Sequence, residues 1–220
     1  MKLYHKMSLL NTILGLIFPN RCLGCGKEGE YFCSSCLNSL PLAERPEKEF
    51  IYSVFNYRDK TVKNAIWTLK YRGRHSIAKV LARAMSDKLL EELSELEAFE
   101  NFDLPVIIPI PLSKKRLKER GFNQAEKLAV ELVKLNPSLV LEKNVLSKIQ
   151  ETPNQARIRN RAERLKNLKG CFKVRNENLI KNRNIILVDD VSTTGATLCE
   201  AKKILLASGA RYVIGLTLAH

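Results

Sequence analysis

The chain has 220 residues, enough for one ordinary domain with a small module attached. Hydrophobic residues make up 45% and charged residues 27%, which is the composition of a folded protein and excludes a wholly disordered chain. Lys and Arg total 37 against 23 Asp and Glu, a net charge of +14. This excess favours a polyanionic partner: nucleic acid, an anionic membrane or a phosphorylated small molecule.

The first stretch of the chain resembles a secretory signal peptide, because an apolar run over residues 7–18 follows Lys2 and Lys6. A small-residue cleavage site is missing, and the sequence continues as Pro-Asn-Arg-Cys from Pro19. We therefore expect a short packed helix here and a cytoplasmic protein. No stretch is long and apolar enough to cross a membrane, so we expect no membrane partner.

Four of the six cysteines lie close together in the pattern C-x2-C-x7-C-x2-C. Two paired knuckles of this kind supply four thiolates, the ligand set of a closed structural zinc site. Disulfides are the alternative, but they are uncommon in a cytoplasmic chain. A four-thiolate site has no open position, so zinc would hold structure and would not catalyse. The cysteines are Cys22, Cys25, Cys33 and Cys36.

This cysteine module is expected to occupy residues 1–45, and residues 46–220 should form a second domain. There, predicted strands alternate with predicted helices, as in an α/β fold with a mostly parallel, Rossmann-like sheet flanked by helices. The expected strands are 50–57, 106–110, 145–149, 185–188 and 212–218. The expected helices are 60–69, 76–99, 122–135 and 196–207. We expect Trp67 to lie in the core of the small subdomain.

The most informative motif is a buried strand, 185–188, that runs into Asp189 and Asp190 and then into a hydroxyl-rich turn and a helix. Open α/β sheets bind ligands at the carboxyl ends of their strands. The N–H groups of such a turn and the following helix N-terminus favour a phosphate group, and two carboxylates suit a vicinal diol. The turn consists of Ser192, Thr193, Thr194, Gly195, Ala196 and Thr197.

Three other interpretations use part of this motif. A Walker B strand also ends in acids, but the chain contains no G-x-x-x-x-G-K-[ST] sequence. A receiver domain carries paired acids, but not directly before such a turn. The third is an ordinary helix capped by Ser192 or Thr194, although a cap needs one hydroxyl and not four with two acids.

At these residues the sequence resembles the type I phosphoribosyltransferases, whose signature of strand, two acids and Thr/Ser-Thr-Gly-x-Thr turn binds phosphoribosyl pyrophosphate (PRPP). The resemblance implies that Asp189 and Asp190 hold the ribose 2′ and 3′ hydroxyls and that residues 192–197 cradle the 5′-phosphate. It extends to the ComF-like family (competence protein F and GntX-like proteins), which combines this fold with an N-terminal double zinc knuckle. The blocks that carry it are the cysteine module followed by Leu69-Lys-Tyr-Arg-Gly73, then Ile108-Pro-Ile-Pro111 with Arg120-Gly-Phe-Asn-Gln124, and Gln155 with Glu163-Arg164, Asn167, Gly170 and Phe172.

Two basic segments have roles that the resemblance implies. Residues 112–175 carry 17 basic and 6 acidic side chains, a net +11 of the total +14. Segment 155–169 matches the flexible loop that closes over PRPP, with Arg164 and Asn167 as candidates, but a basic helix facing nucleic acid is the alternative. The residues after strand 106–110 match the pyrophosphate loop, with a solvated basic turn as the alternative. They are Ser113, Lys114, Lys115 and Arg116.

The resemblance implies binding of PRPP with Mg²⁺ and transfer of ribosyl-5-phosphate to an acceptor, with release of pyrophosphate. Mg²⁺ would be held chiefly by pyrophosphate oxygens, since the chain has no cage of carboxylates. A hood at about 50–75 would recognise the acceptor, which the sequence does not identify, and no single catalytic side chain stands out. The alternative is a non-catalytic PRPP sensor or accessory factor in DNA uptake that binds single-stranded DNA or a helicase-like partner.

Overall fold

The computed structural model describes residues 20–44, 48–72, 75–100, 102–151 and 168–220. The predicted N-terminal helix and the candidate loop residues Arg164 and Asn167 lie outside these ranges. Among the helices within these ranges, none has the length and apolar character needed to cross a membrane.

The centre of the molecule is a five-stranded sheet in the order β1-β7-β6-β2-β3, and every neighbouring pair in it is parallel. This confirms the predicted α/β class. Strands β4 and β5 form a separate antiparallel pair, so the strand predicted over 145–149 lies outside the main sheet. The strands are β1 (Ile51–Phe55), β2 (Val106–Pro109), β3 (Val140–Leu141), β4 (Leu146–Lys148), β5 (Phe172–Val174), β6 (Asn184–Val191) and β7 (Tyr212–Ala219).

Six α-helices lie in the described part of the chain, together with a 3₁₀ turn at Glu177–Leu179. The prediction of a basic loop after β2 was wrong in one respect, because a short helix begins at Lys114. Ser113 caps it by accepting from the Arg116 N–H, and Gly121 ends it at φ 78°. The helices are α1 (Ser34–Asn38), α2 (Lys60–Tyr71), α3 (His75–Glu100), α4 (Lys114–Arg120), α5 (Gln124–Leu135) and α6 (Ala196–Ala207).

The sheet separates two apolar clusters, because successive side chains of a strand point to opposite faces. On β6, Ile186 and Val188 belong to the cluster that contains the apolar stripes of α3 and α5. Ile185 and Leu187 belong to the other cluster, which contains residues of α6 and the β4–β5 pair. Because β6 is buried on both faces, its place in the sheet is fixed. The strand thereby positions Asp189 and Asp190 near its carboxyl end.

The segment predicted as a hood contributes β1 to the edge of the main sheet, beside β7. The outer side of β1 is covered by the chain that leaves the cysteine module. The Ala43 N–H donates to the Val54 carbonyl at 3.0 Å, and the Asn56 N–H donates to the Pro41 carbonyl at 2.8 Å. The cysteine module and the edge strand are therefore joined through main-chain hydrogen bonds.

Helix α2 begins at Asp59, whose carboxylate accepts from the Thr61 and Val62 N–H groups. One face of α2 is buried in the core beside α3. Trp67 is not on that face and has 49% of its surface exposed, so its predicted position in the core was wrong. The buried residues of α2 are Val62, Ala65, Ile66, Thr68 and Leu69.

Candidate functional site

The acids and the hydroxyl-rich turn lie together at the carboxyl end of β6, as the motif predicts. The strand continues through both acids to Val191, and the Ser192 N–H then donates to the Ala219 carbonyl of β7 at 2.9 Å. Gly195 precedes α6 with φ 69°, a conformation that favours glycine. A Cβ at this position would also lie 2.9 Å from Ile51 Cδ1, so another residue would displace the end of that side chain in addition to straining the backbone.

The turn encloses a small pocket of about 60 Å³ that residues 191–198 and Asp189 line. The first hydrogen bond of α6 runs from the Cys199 N–H to the Gly195 carbonyl at 2.8 Å. The N–H groups of the first helical residues therefore have no partner inside the helix, and Gly195 at the N-cap has no side chain that could accept from them. Among the described residues the Ser192 hydroxyl does not cap the helix, since it has no hydrogen-bond partner.

The Ser192 hydroxyl is buried, yet it has no hydrogen-bond partner among the residues that the structure describes. The carbonyl of the same residue accepts from His220 Nδ1 at 2.7 Å, which fixes the backbone at the start of the turn. A buried hydroxyl without a partner is costly and is uncommon in folded proteins. Its position in an uncapped turn fits a site for an oxygen-rich ligand group.

Asp189 and Asp190, the carboxylate pair, differ in their surroundings. Asp190 is buried, with 4% of its surface exposed, and its Oδ2 lies 3.0 Å from the Nζ of Lys70. Asp189 is more exposed and lines the pocket, and its Oδ1 accepts the Asp190 N–H at 2.8 Å. Asp189 is therefore the half-buried member of the pair that the pocket reaches.

The surroundings of Asp189 and Lys70 change the pKa of each. Burial, and next the charge of Asp190, raise the pKa of Asp189 to about 7. Burial alone would lower the pKa of Lys70, but the Asp190 carboxylate outweighs it, and the pKa of Lys70 is raised. Close to neutral pH the site thus holds one ion pair and one carboxyl group that is able to change its charge.

A second lysine, Lys148 on β4, connects the carboxylate pair with the predicted pyrophosphate residues. Burial lowers its pKa, and both Arg116 and Asp189 lie close enough to influence it electrostatically. Lys148 Nζ also lies 5.7 Å from the centre of the Phe172 ring. Lys148 therefore lies within electrostatic range of both Arg116 on α4 and Asp189 on β6.

The four predicted pyrophosphate residues differ in exposure. Ser113 is buried, Arg116 is half-buried, and Lys114 and Lys115 are exposed. The Lys115 N–H donates to Glu151 Oε1 at 3.1 Å. Hydrogen bonds from the Ser113 side chain and from this N–H lower the pKa of Glu151. An N–H group at the beginning of α4 is thus already hydrogen-bonded to one carboxylate.

Sequence reasoning missed Lys70 and Lys148. Lys70 could have been found, because it lies four residues after Ile66 and therefore next to the buried face of α2. A lysine at such a position needs a buried partner of opposite charge. Lys148 lies in a short strand with no comparable signal.

The exposed side of α2 forms an aromatic face, which we define as Trp67, Tyr71, Arg72 and Arg120. The Trp67 and Tyr71 rings lie 5.6 Å apart, and Tyr71 is 61% exposed. The Arg72 guanidinium lies 5.5 Å from the Trp67 ring, and that of Arg120 lies 5.3 Å from the Tyr71 ring. Because Arg120 belongs to α4, this contact joins the aromatic face to the helix that carries the predicted pyrophosphate residues.

The cysteine module brings its four sulfur atoms within 4.8 Å of one another. Cys33 Sγ lies 3.8 Å from Cys22 Sγ and 3.9 Å from Cys25 Sγ, and all four thiols are free. Tetrahedral zinc with bonds of about 2.3 Å places its sulfur ligands about 3.8 Å apart. The cluster could therefore hold a structural metal, as the spacing predicts, and it contains no disulfide.

The thiols of this cluster influence one another strongly. Burial opposes ionisation of Cys22, but backbone N–H groups such as that of Cys25 outweigh it and lower the pKa to about 6. The hydrogen bond with Cys33 raises the pKa of Cys36 to about 12. Four neighbouring sulfurs cannot all carry charge without a cation between them, so the donor set fits a bound dication.

The similarity of this chain to known proteins agrees with the α/β fold described above. The family model described as "Phosphoribosyl transferase domain" matches residues 117–220. The chain is 30% identical to competence protein F of Haemophilus influenzae, over 86% of this chain and 79% of that protein. It is 35% identical to competence protein ComFC of Bacillus subtilis, over 71% and 58%, respectively.

A third relative is DNA utilization protein YhgH of Salmonella typhimurium, 30% identical over 82% of this chain and 74% of that protein. The similarity to these relatives thus extends well beyond the residues that the domain model matches. The chain belongs to the family of competence protein F, ComFC and YhgH, with a phosphoribosyl transferase domain over residues 117–220.

Proposed function

We propose that the protein binds PRPP with Mg²⁺ and transfers its ribosyl-5-phosphate group to an acceptor. The observation that carries the proposal is the buried, unpartnered hydroxyl of Ser192 in an uncapped turn beside Asp189 and Asp190. A 5′-phosphate would supply acceptors for the turn, and a ribose would supply hydroxyl donors for the carboxylates. One ligand that contains both groups satisfies the whole site.

In this proposal the protein acts by positioning and electrostatics. The bond between ribose C1 and the pyrophosphate oxygen breaks, and the leaving pyrophosphate keeps the electron pair. The acceptor nucleophile then forms a new bond to C1 and loses its proton to solvent. Arg116 and Lys148 would bind the pyrophosphate, and its oxygens would hold Mg²⁺, which supplies charge neutralisation when bound.

Ligand-dependent stability tests this proposal. PRPP with Mg²⁺ should raise the Tm of the wild type, and Asp189→Asn and Asp190→Asn should each abolish the rise. Asp87→Asn, an exposed acid on α3, is the matched control and should keep the full rise. A wild-type Tm that does not respond to PRPP would rule the proposal out. Pyrophosphate release, screened across acceptors, would then identify the second substrate.

The cysteine module is proposed to hold one structural zinc ion. The sulfur separations near 3.8 Å support zinc, and four thiolates complete its coordination without a position for substrate. In this role the metal would anchor the module from which residues 41–43 reach β1.

A non-catalytic accessory role in DNA uptake is the second candidate, and the aromatic face is the observation that favours it. Bases of single-stranded DNA stack on exposed aromatic rings, and neighbouring arginines contact the phosphates. The names of the relatives also refer to competence and DNA utilization. In this role PRPP would be sensed at the β6 site and not consumed, and a helicase-like protein could be the partner.

Single-stranded DNA binding separates the two candidates. Trp67→Ala should weaken binding about 5- to 150-fold if one base stacks there, since a stack contributes about 1–3 kcal/mol. Trp67→Phe keeps a ring at the same position and should bind nearly as well as the wild type. Equal affinity of the two variants would exclude the aromatic face as the DNA site.

A further inference from the structure

The ion pair between Lys70 and Asp190 joins two segments that lie far apart in the sequence. Lys70 is near the end of α2, whereas Asp190 is at the end of β6. Their side chains are 23% and 6% exposed, and the Nζ lies 3.0 Å from Oδ2. That oxygen has no appreciable access to solvent in this arrangement.

A ribose hydroxyl cannot reach Asp190 Oδ2 while the ammonium of Lys70 covers it. Separation of the pair would leave a buried carboxylate and a largely buried ammonium without partners, which is strongly unfavourable. The separation becomes favourable when both groups gain new partners together. A sugar hydroxyl can donate to Asp190, and a phosphate oxygen can accept from Lys70.

We propose that the Lys70–Asp190 ion pair is a latch that the ribose diol of a phosphorylated ligand opens, so that occupancy of the carboxylate pair is transmitted to helix α2. This inference rests on the proposed binding of PRPP. Lys70 is a positioning residue here, since it acts through Asp190. The latch discriminates against neutral diols, because they bring no anionic oxygen for the displaced ammonium.

The helix that the latch holds also carries the aromatic face. Trp67 precedes Lys70 by three residues, one turn away on the helix, and Tyr71 follows it directly. Release of Lys70 from Asp190 would therefore change the surroundings of both rings. Trp67 is the single tryptophan of the chain, so its fluorescence reports on α2 alone. The two candidate functions would be coupled through this one side chain.

Parallel titrations by calorimetry and tryptophan fluorescence test the latch. In the wild type, PRPP with Mg²⁺ should change the emission of Trp67 with the same Kd that calorimetry gives. Inorganic pyrophosphate, which lacks the diol, should bind without changing the emission. Lys70→Met should bind PRPP with measurable heat but without the emission change. Lys60→Met, an exposed lysine at the start of α2, should behave as the wild type.

The possible failures are distinguishable. Absence of heat with PRPP in both the wild type and Lys60→Met would overturn the proposed function and the latch with it. Heat without any change of emission in the wild type would overturn the latch alone, as would an unchanged emission response in Lys70→Met. If Lys70→Met does not fold, Lys70→Gln keeps a hydrogen bond to Asp190 without the charge and takes its place.

Discussion

Ser53 and Thr217 share a hydrogen bond of 2.7 Å between their hydroxyl oxygens, and both residues are buried. They are also direct partners in the pairing of β1 with β7. On its other side, Thr217 is paired with Asp189 of β6. A row of three side chains thus runs from the edge of the sheet to the carboxylate pair.

This hydroxyl pair should contribute measurably to stability. Thr217→Val leaves the Ser53 hydroxyl buried without a partner and should lower the free energy of unfolding by about 1–3 kcal/mol. The double variant Ser53→Ala/Thr217→Val removes both hydroxyls and should recover part of that loss. Urea denaturation of the four proteins in the cycle measures the coupling. Strictly additive losses would show that the pair does not interact.

Ser192→Ala should have opposite effects on stability and on ligand binding. Without ligand, removal of a buried and unpartnered hydroxyl should raise the free energy of unfolding by about 1 kcal/mol. With PRPP and Mg²⁺, the same change removes a donor to the phosphate and should reduce the rise in Tm. Ser138→Ala, at an exposed position, should change neither quantity. A variant that is less stable and binds normally would argue against a ligand at the turn.

Asp189 should make stability depend on pH in a defined direction. Its pKa is about 7 in the folded protein against 3.8 as the ordinary value, so the folded state binds this proton more tightly. The contribution is full below about pH 4 and is lost as pH rises to 7. Asp189→Asn carries no such charge and should gain stability relative to the wild type over this window.

Urea denaturation at pH 5 and pH 8 measures that difference, and the exposed Asp87→Asn serves as its control. The gain of Asp189→Asn over the wild type should be larger at pH 8 than at pH 5. Equal gains at the two pH values would mean that Asp189 is already ionised in the folded protein at pH 5.

Metal analysis should find one zinc ion per chain. Cys33→Ser should lower the zinc content and the Tm, because it removes a ligand that lies 3.8 Å from Cys22 Sγ. Cys199→Ser, on α6, should keep the zinc content of the wild type. Full zinc content in Cys33→Ser would exclude this sulfur as a ligand.

Gly24→Ala should weaken metal binding without changing a ligand. A Cβ at this position would lie 2.8 Å from Cys36 Sγ, which is closer than real contacts of this kind. The sulfur would have to move away from the other three, so competition with a chelator should strip zinc from the variant at a lower chelator concentration. Ser35→Ala, at an exposed position on α1, is the comparison and should resist the chelator as the wild type does.

Local patterns in the sequence were sufficient to predict the centre of the candidate site. The apolar run 185–188 had to be buried, and the acids after it had to lie at a strand end. The Cys-x2-Cys pairs likewise predicted the sulfur cluster, because neighbouring residues of a knuckle determine its geometry. In both cases the chemistry depends on residues within fifteen positions of one another.

The contacts between distant segments could not be predicted in this way. The pairing of Lys70 with Asp190 depends on how α2 crosses the end of the sheet, which no local pattern records. The exposed position of Trp67 could have been predicted, because Val62, Ile66 and Leu69 already define the buried face of α2. Helix α4 was missed because its sequence has no apolar stripe and its caps alone define it.

The chain that leaves the cysteine module also covers part of an edge of the main sheet. Residues 41–43 hydrogen-bond to Val54 and Asn56, so the carboxyl-terminal end of β1 is not open to pairing with a second molecule. The position of this short segment depends on the module that anchors it. Loss of the proposed zinc ion would therefore uncover this end of β1 as well as unfold the module, and we expect metal-depleted protein to aggregate through β1 before the main domain melts.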